Sequence, residues 1–277
     1  MRKVLEGIRV IEFTNFQAGP VCSMILADLG AEVIKVEPLE GESGRRSGTR
    51  VQHGESLAFH ARNRNKLSFT LDVKSDNGKR VLRDLVAISD VFVQNFRVGV
   101  VERLGFGFRA LREIQPQIIM TSISGYGRSG PYAHLPAHDM LIQALSGIMS
   151  LNGGASDPPT RVGVPIADRM GGIVGALGTL AALLRRTATG EGEHVDVAML
   201  DALLFQLDDY PLMYQYQGKL FPRMGNHYYT GPNGYYECKD GAIYITASGD
   251  ARWKQLCDMI GRPDIVANPQ FATNISR

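Results

Sequence analysis

Residues 8–37 read IRVIEFTNFQAGPVCSMILADLGAEVIKVE, and this stretch decides the fold class. IRVIEF (8–13) alternates apolar and polar residues as a strand does, and AEVIKVE (31–37) repeats the pattern after a gap that fits one short helix. Gly19-Pro20 opens that helix over 19–29 and Gly30 closes it. Proline's fixed φ and missing N–H suit the first helical turn, and glycine suits the left-handed residue beyond the last. The result is a compact strand–helix–strand unit.

Working outward, the pattern repeats. SDNGKRVLRDLVAISD (75–90) has helical spacing and leads into DVFVQNF, then a helix through ERLGFGFRALREI (102–114) leads into PQIIMTSISGYG. Strands near 91–94 and 117–123, with helices between, predict an α/β fold: a doubly wound, mostly parallel sheet covered on both faces. HDMLIQALSGIMSLNG (138–153) predicts one helix that stops at Asn152-Gly153. The uncharged run from Met170 to Leu184 is too short for a membrane span and fits a buried helix, whose Gly171, Gly172, Gly175 and Gly178 let another backbone come close. Beyond residue 217 the composition shifts to Gly, Tyr, Asn and Pro, followed by the alternating AIYITAS (242–248) and the helical DARWKQLCDMIG (250–261). Two domains are therefore expected: a large α/β domain over 1–217, and the start of a smaller α+β domain over 218–277.

Composition narrows the function classes. In 277 residues there are 30 Lys and Arg against 28 Asp and Glu, a net charge of +2, with 44% hydrophobic residues. That excludes disorder and collagen-like repetition and gives no long-range field that would steer the chain to nucleic acid. Cys22, Cys238 and Cys257 have neither CxxC nor Cys/His ligand spacing, so no metal site is expected and the thiols read as reduced. MRKVLEGIRVIEF carries charges where a signal peptide needs an apolar run, so the expected location is the cytoplasm, without a membrane partner.

The chemistry is less explicit. There is no G-x-G-x-x-G after the first strand and no G-x-x-x-x-G-K-[ST], which lowers a nucleotide-cofactor reading. Gln17 follows the first strand and precedes a helix, where open α/β sheets bind ligands; its amide is either an oxyanion donor or a loop hydrogen bond. Arg62, Arg64, Lys66, Arg97 and Arg103 are either diphosphate contacts or solvated surface. Asn95-Phe96 puts an amide and a flat ring at a strand end. Asp168 directly precedes the most apolar helix, as a helix cap or as a reactive carboxylate. His138-Asp139 starts another helix, in a capping or a proton-moving role. Gly225–Tyr229 and Gly231–Gly234 form either a cover over a pocket or surface turns.

From Gln17 and Asp168 outward, a longer pattern emerges. LEGIRVIEFTNFQAGPVCSMILADLGAEVIKVEP, RNRNKLSFTLDVKSDNGKRVL, SDVFVQNFRVGVVERLGFG, SISGYGRSGPY and DPPTRVGVPIADRMGGIVGALGTLAAL, in this order, resemble the class III CoA-transferase family, which is related to α-methylacyl-CoA racemase. The resemblance spans essentially the whole chain. It implies a doubly wound large domain with a smaller inserted domain, an interlocked homodimer, and family members that continue beyond the equivalent of Arg277. It implies an acyl-CoA donor and a carboxylic acid acceptor, with coenzyme A as part of the substrate and no tightly bound cofactor. By resemblance Asp168 is the covalent nucleophile, passing through an aspartyl anhydride and an aspartyl-CoA thioester. Gln17 supports the intermediates, and Asn95, Phe96 and Arg103, with Arg97, Arg64 and Lys66, belong to the coenzyme A region. His138 binds substrate in the transferase reading. In the racemase reading it and Asp168 exchange a proton at the α-carbon. A non-catalytic coenzyme A binder is the third reading. Departures near His138 and over 228–234 leave the acyl group and acceptor open.

Overall fold

A computed structural model describes residues 3–50, 54 and 56–277; Met1 and Arg2 of the N-terminal stretch lie outside the described residues. Six strands, β1 (Arg9–Phe13), β2 (Glu32–Glu37), β3 (Lys66–Thr70), β4 (Val91–Gln94), β5 (Ile119–Ser124) and β6 (His194–Ala198), form one sheet in the order β3-β2-β1-β4-β5-β6. Every pairing in it is parallel. The strand order reverses between β1 and β4. Connections leave that point in opposite directions and open a crevice at the carboxyl ends of the two strands, where sheets of this kind bind ligands.

The helices of the large unit are α1 (Ala18–Asp28), α2 (Leu57–Arg62), α3 (Asp76–Ala87), α4 (Val100–Leu104), α5 (Phe108–Ile114), α6 (Asp139–Ser146), α8 (Ile166–Thr189) and α9 (Met199–Leu204); the short α7 (Ile148–Leu151) belongs to the second unit. Alternate residues of the strands separate the two faces. Ile11, Phe13, Phe92 and Met120 pack with Leu82 and Val86 of α3 and Leu111 of α5. On the other face Glu12 meets Ser23 of α1, and Thr121 meets Thr179 of α8. The single helix expected over 102–114 is two, broken at Gly105 with φ 89°, and the one expected over 138–151 is broken at Gly147 with φ 86°. Glycine populates this left-handed region without the Cβ clash that other residues meet. Both edge strands, β3 and β6, add to the four strands read from the sequence.

At 24 residues α8 is longer than its uncharged run and passes for a membrane span by length and composition. Its small residues, however, lie against the sheet and α1. A Cβ at Gly175 would sit 2.8 Å from Ile123 Cδ1 and 3.3 Å from Cys22 Sγ, and one at Gly178 would sit 2.6 Å from Val195 Cγ1. The four glycines thus permit the close approach that the sequence predicts.

Under α1 lies a sealed ion cluster. Glu12 is paired with Lys35 and with Lys66 at 2.8 Å each, and Lys35 reaches Glu42 at 3.2 Å. The Thr14 and Ser23 hydroxyls each donate to Glu12 at 2.6 Å. Burial opposes ionisation of Glu12, but Lys66 and Lys35 outweigh it and hold the carboxyl down at about 2. Losing one member of such a set leaves an uncompensated interior charge, which costs about 3–5 kcal/mol.

The described chain divides into two compact units, Met1–Ser146 with Gly163–Asp208, and Gly147–Val162 with Asp209–Arg277. The second contains α7, α10 (Tyr210–Gln217), the antiparallel pair β7 (Asn233–Cys238) and β8 (Gly241–Thr246), and α11 (Asp250–Met259). Within it Phe221 stacks with Tyr210 and with Tyr229, and the two glycine-containing loops bring Tyr228 and Tyr229 to a cavity of about 170 Å³. Cys22 and Cys257 are buried, Cys238 is exposed, and all three are free thiols.

Candidate active site

The site is built where the starts of α1 and α8 meet. A Cβ at Gly172 would sit 2.7 Å from the Ala18 carbonyl oxygen and 2.7 Å from Val21 Cβ, so this contact requires glycine. Asp168 lies one turn before Gly172 on the same face of α8, and Gln17 immediately precedes Ala18. Close helix packing therefore brings the first turn of α8 to the start of α1, and Arg62, bonded to Gln17, is near enough for its charge to act on Asp168. On the sheet side, Gly19 fits under Thr14 and Asn95, where a Cβ would come within 2.5 Å of Thr14 Cγ2.

Asp168 is not the cap of its helix. Asp139, at the start of α6, caps it instead, its Oδ1 accepting from the Ala167 N–H at 2.8 Å and from the Asp168 N–H at 3.2 Å. Gln143 donates to the other Asp139 oxygen at 2.6 Å, fixing the carboxylate. The Asp168 side chain, half-buried, accepts no hydrogen bond among the described residues. Burial first, and the Asp139 charge second, push its carboxyl up to about 6, with Arg62 pulling the other way. A carboxylate held this way is ionised at neutral pH yet more basic, and so more nucleophilic, than an ordinary aspartate.

Gln17 follows Phe16, which holds a strained φ of 60°. The Gln17 side chain makes no cap on α1; instead its Oε1 accepts from Arg62 Nη1 at the end of α2. With the oxygen end anchored, the amide nitrogen is the free end, a donor suited to a developing oxyanion. Arg62 is the residue that sequence reasoning left among five interchangeable cations. It is half-buried, its Nε is sealed from solvent without an acceptor, and it has no ion-pair partner among the described residues. Burial lowers its pKa from the usual value. No local signal in RNRNK separates it from its neighbours.

The other expected residues divide. Asn95 exchanges two 2.8 Å hydrogen bonds with the Asn15 backbone, tying the end of β4 to the end of β1. Phe96 packs on Phe13 at 4.8 Å between ring centroids. Arg97 and Arg103 are exposed; Arg103, with Lys79, Arg80, Arg83, Glu102 and Phe106, lines a cavity of about 460 Å³ with an excess of positive charge. Lys66 turns inward to Glu12, Pro20 and Asn63, and Arg64 pairs with Asp28, so the structure does not bring these two cations to Asp168. His138 is exposed beside Asp139, and its imidazole has no partner among the described residues. No cluster of three or more His, Cys, Asp or Glu suited to a metal occurs among the described residues.

Comparisons with known proteins agree on one group. The sequence profile described as CoA-transferase family III matches residues 5–277. The chain is 39% identical over 275 residues to an acetyl-CoA:oxalate CoA-transferase of Acetobacter aceti, covering 98% of this chain and 70% of that one. It is 37% identical to a succinyl-CoA:mesaconate CoA-transferase of Haloarcula hispanica, covering 95% and 69%. Among solved structures, a CAIB/BAIF family protein from Brucella suis superposes with a TM-score of 0.88 at 35% identity, covering all of this chain and 75% of that one.

Proposed function

The chain belongs to CoA-transferase family III, an enzyme family of acyl-CoA:carboxylate CoA-transfer, and from that membership we propose that Asp168 is its covalent nucleophile. An Asp168 oxygen attacks the carbonyl carbon of the donor thioester, and the tetrahedral oxyanion collapses by breaking the C–S bond. This gives a mixed anhydride and the coenzyme A thiolate. The thiolate attacks the aspartyl carbonyl, expels the donor's carboxylate and leaves Asp168 as its CoA thioester. The acceptor carboxylate attacks that thioester, forming a second anhydride and releasing the thiolate. Attack on the acceptor-side carbonyl then delivers the new acyl-CoA and frees Asp168. Each step exchanges one acyl bond for another, so coenzyme A travels as substrate and no electrons are transferred.

The observation that carries this reading is the Asp168 carboxylate itself: half-buried, unbonded, raised to about 6, and within the influence of Arg62, which holds the oxygen end of Gln17. Gln17 is assigned to the oxyanions. Arg103 and Arg97 are assigned to the phosphates of coenzyme A, beside the Asn95-Phe96 strand end, and His138 to the substrate carboxylate. The acceptor is a small carboxylic acid, in keeping with relatives whose names give oxalate and mesaconate. The proton-transfer alternative needs an imidazole working opposite Asp168, and the exposed, unpartnered His138 does not favour it.

The test is intact-protein mass spectrometry after incubation with acyl-CoA donors, with hydroxylamine or borohydride trapping and peptide mapping. A coenzyme A-dependent modification on the Asp168 peptide is expected. Exchange of the α-proton without any adduct would overturn the assignment in favour of racemisation.

A further inference from the structure

Resting on the transfer reaction just described, we propose that Arg62 determines acyl specificity by gripping the remote carboxylate of a dicarboxylic substrate, while Gln17 and Asp168 handle the carboxyl end that reacts. Charge pairing within the same unit singles this residue out. Arg45 is paired with Glu37, Arg128 with Glu102 and Arg186 with Asp90, and the buried Lys35 and Lys66 are both paired with Glu12. Arg62, like Lys79, is half-buried with no carboxylate within ion-pair distance among the described residues, and of the two it is Arg62 that is bonded to Gln17. Its one side-chain bond goes to the neutral Gln17 oxygen.

A guanidinium drawn out of water needs an anion or a full set of acceptors, and Glu42 and Asp168 act on this one only from beyond ion-pair distance. Nη1 is occupied by Gln17 and Nε–H is sealed without an acceptor, so Nη2, which bonds to no described residue, is the donor left for a ligand. An Nη2–H directed at a carboxylate oxygen makes a charge-assisted hydrogen bond.

The position of Arg62 selects the ligand's size. One amide separates the guanidinium from the oxyanion donor, whereas the phosphates of an acyl-CoA lie a whole pantetheine arm from the reacting carbon. Arg62 therefore sits within the acyl end of the pocket. A short dicarboxylate places its second carboxylate at about the span of one glutamine side chain from the first, which a monocarboxylate cannot do.

Isosteric acceptor pairs test this with the full chain: succinate against succinamate with glutaryl-CoA as donor, and glutarate against glutaramate with succinyl-CoA as donor. The wild-type enzyme is expected to favour the diacid over its monoamide by about 100-fold in kcat/KM, the scale of a desolvated charge pair. Arg62→Gln is expected to collapse that ratio toward one, and Arg62→Lys to retain part of it. A wild-type enzyme that uses the monoamides as readily as the diacids overturns the proposal without any variant. So does an Arg62→Gln enzyme that loses diacid and monoamide activity equally, which would place Arg62 on the oxyanion or on Asp168 instead. Trapping the donor-derived adduct on Asp168 in the same preparations separates the two readings. A missing adduct sinks the covalent assignment, while an intact adduct with an unmoved selectivity ratio sinks only the role of Arg62.

Discussion

Two groups of charges lie close together in the large unit and are treated in opposite ways. Beneath α1, Glu12 is closed in by Lys35, Lys66, Thr14 and Ser23, and every interaction points inward. At the start of α8, Asp168 and Arg62 are also drawn out of water, yet neither is paired and the two pull on one another only at a distance. The first group ties β1, β2 and β3 together. The second is left electrostatically unfinished, as a site is when a substrate supplies the missing charges. Burial with pairing makes a structural element, and burial without it makes a reactive one.

The largest effect expected from breaking this contrast is in Asp168→Asn. Removal of the proposed nucleophile is expected to lower kcat by about 10⁴-fold, the scale of losing a covalent catalyst. Thermal melting of the same variant should hold or rise slightly, since an unpaired, desolvated charge is gone. A variant that melts much earlier would show Asp168 to be structural. Next comes Lys66→Met, which leaves Glu12 with one cation and should destabilise the fold by about 3–5 kcal/mol in urea titration. An unchanged midpoint would show the buried cluster to be dispensable.

Gly172→Ala probes the joint between the helices that carry the site. The added Cβ would press on the Ala18 carbonyl and Val21, costing about 1–3 kcal/mol. It should also lower kcat more than it raises KM, because Asp168 shifts away from Gln17; equal activity with lower stability would sever packing from geometry. The smallest effects are in pH. With its carboxyl raised to about 6, Asp168 should lose transfer activity about tenfold per unit below that pH as the nucleophile is protonated.

The stability signs of the two groups are opposite. The folded pKa of Glu12 is depressed to about 2, so its contribution is present above the ordinary glutamate value and is lost as pH falls toward 2. The folded pKa of Asp168 is raised, so its contribution is present below the ordinary aspartate value and is lost as pH rises through about 6. The stability difference between wild type and Asp168→Asn should therefore grow as pH rises from the ordinary aspartate value to about 6, with the variant the more stable above it. Superimposable curves there would refute the raised value.

The inner strands were legible because they are buried on both faces and bracketed by helix punctuation. KLSFT and HVDVA were not, since edge strands carry exposed side chains, as Leu67 and Phe69 do. Asp168 read locally as a helix cap because an aspartate before an apolar helix usually is one. The actual cap, Asp139, comes from another helix, a pairing that no window around Asp168 contains.

The amino-acid sequence by itself determined the parallel α/β layout, the glycine face of α8 and the ordered motifs of the family, and Gln17 and Asp168 are proposed for the site from the resemblance those motifs carry. These follow from local periodicity, turn chemistry and the order of segments, all of which are written along the chain. Only the tertiary structure decided which cations are neutralised. Arg62 and Lys66 stand four positions apart in one basic run, and the turn from α2 into β3 sends Lys66 to Glu12 and leaves Arg62 facing Gln17. The energy of a charge depends on what surrounds it in space, and residues distant in sequence supply those surroundings.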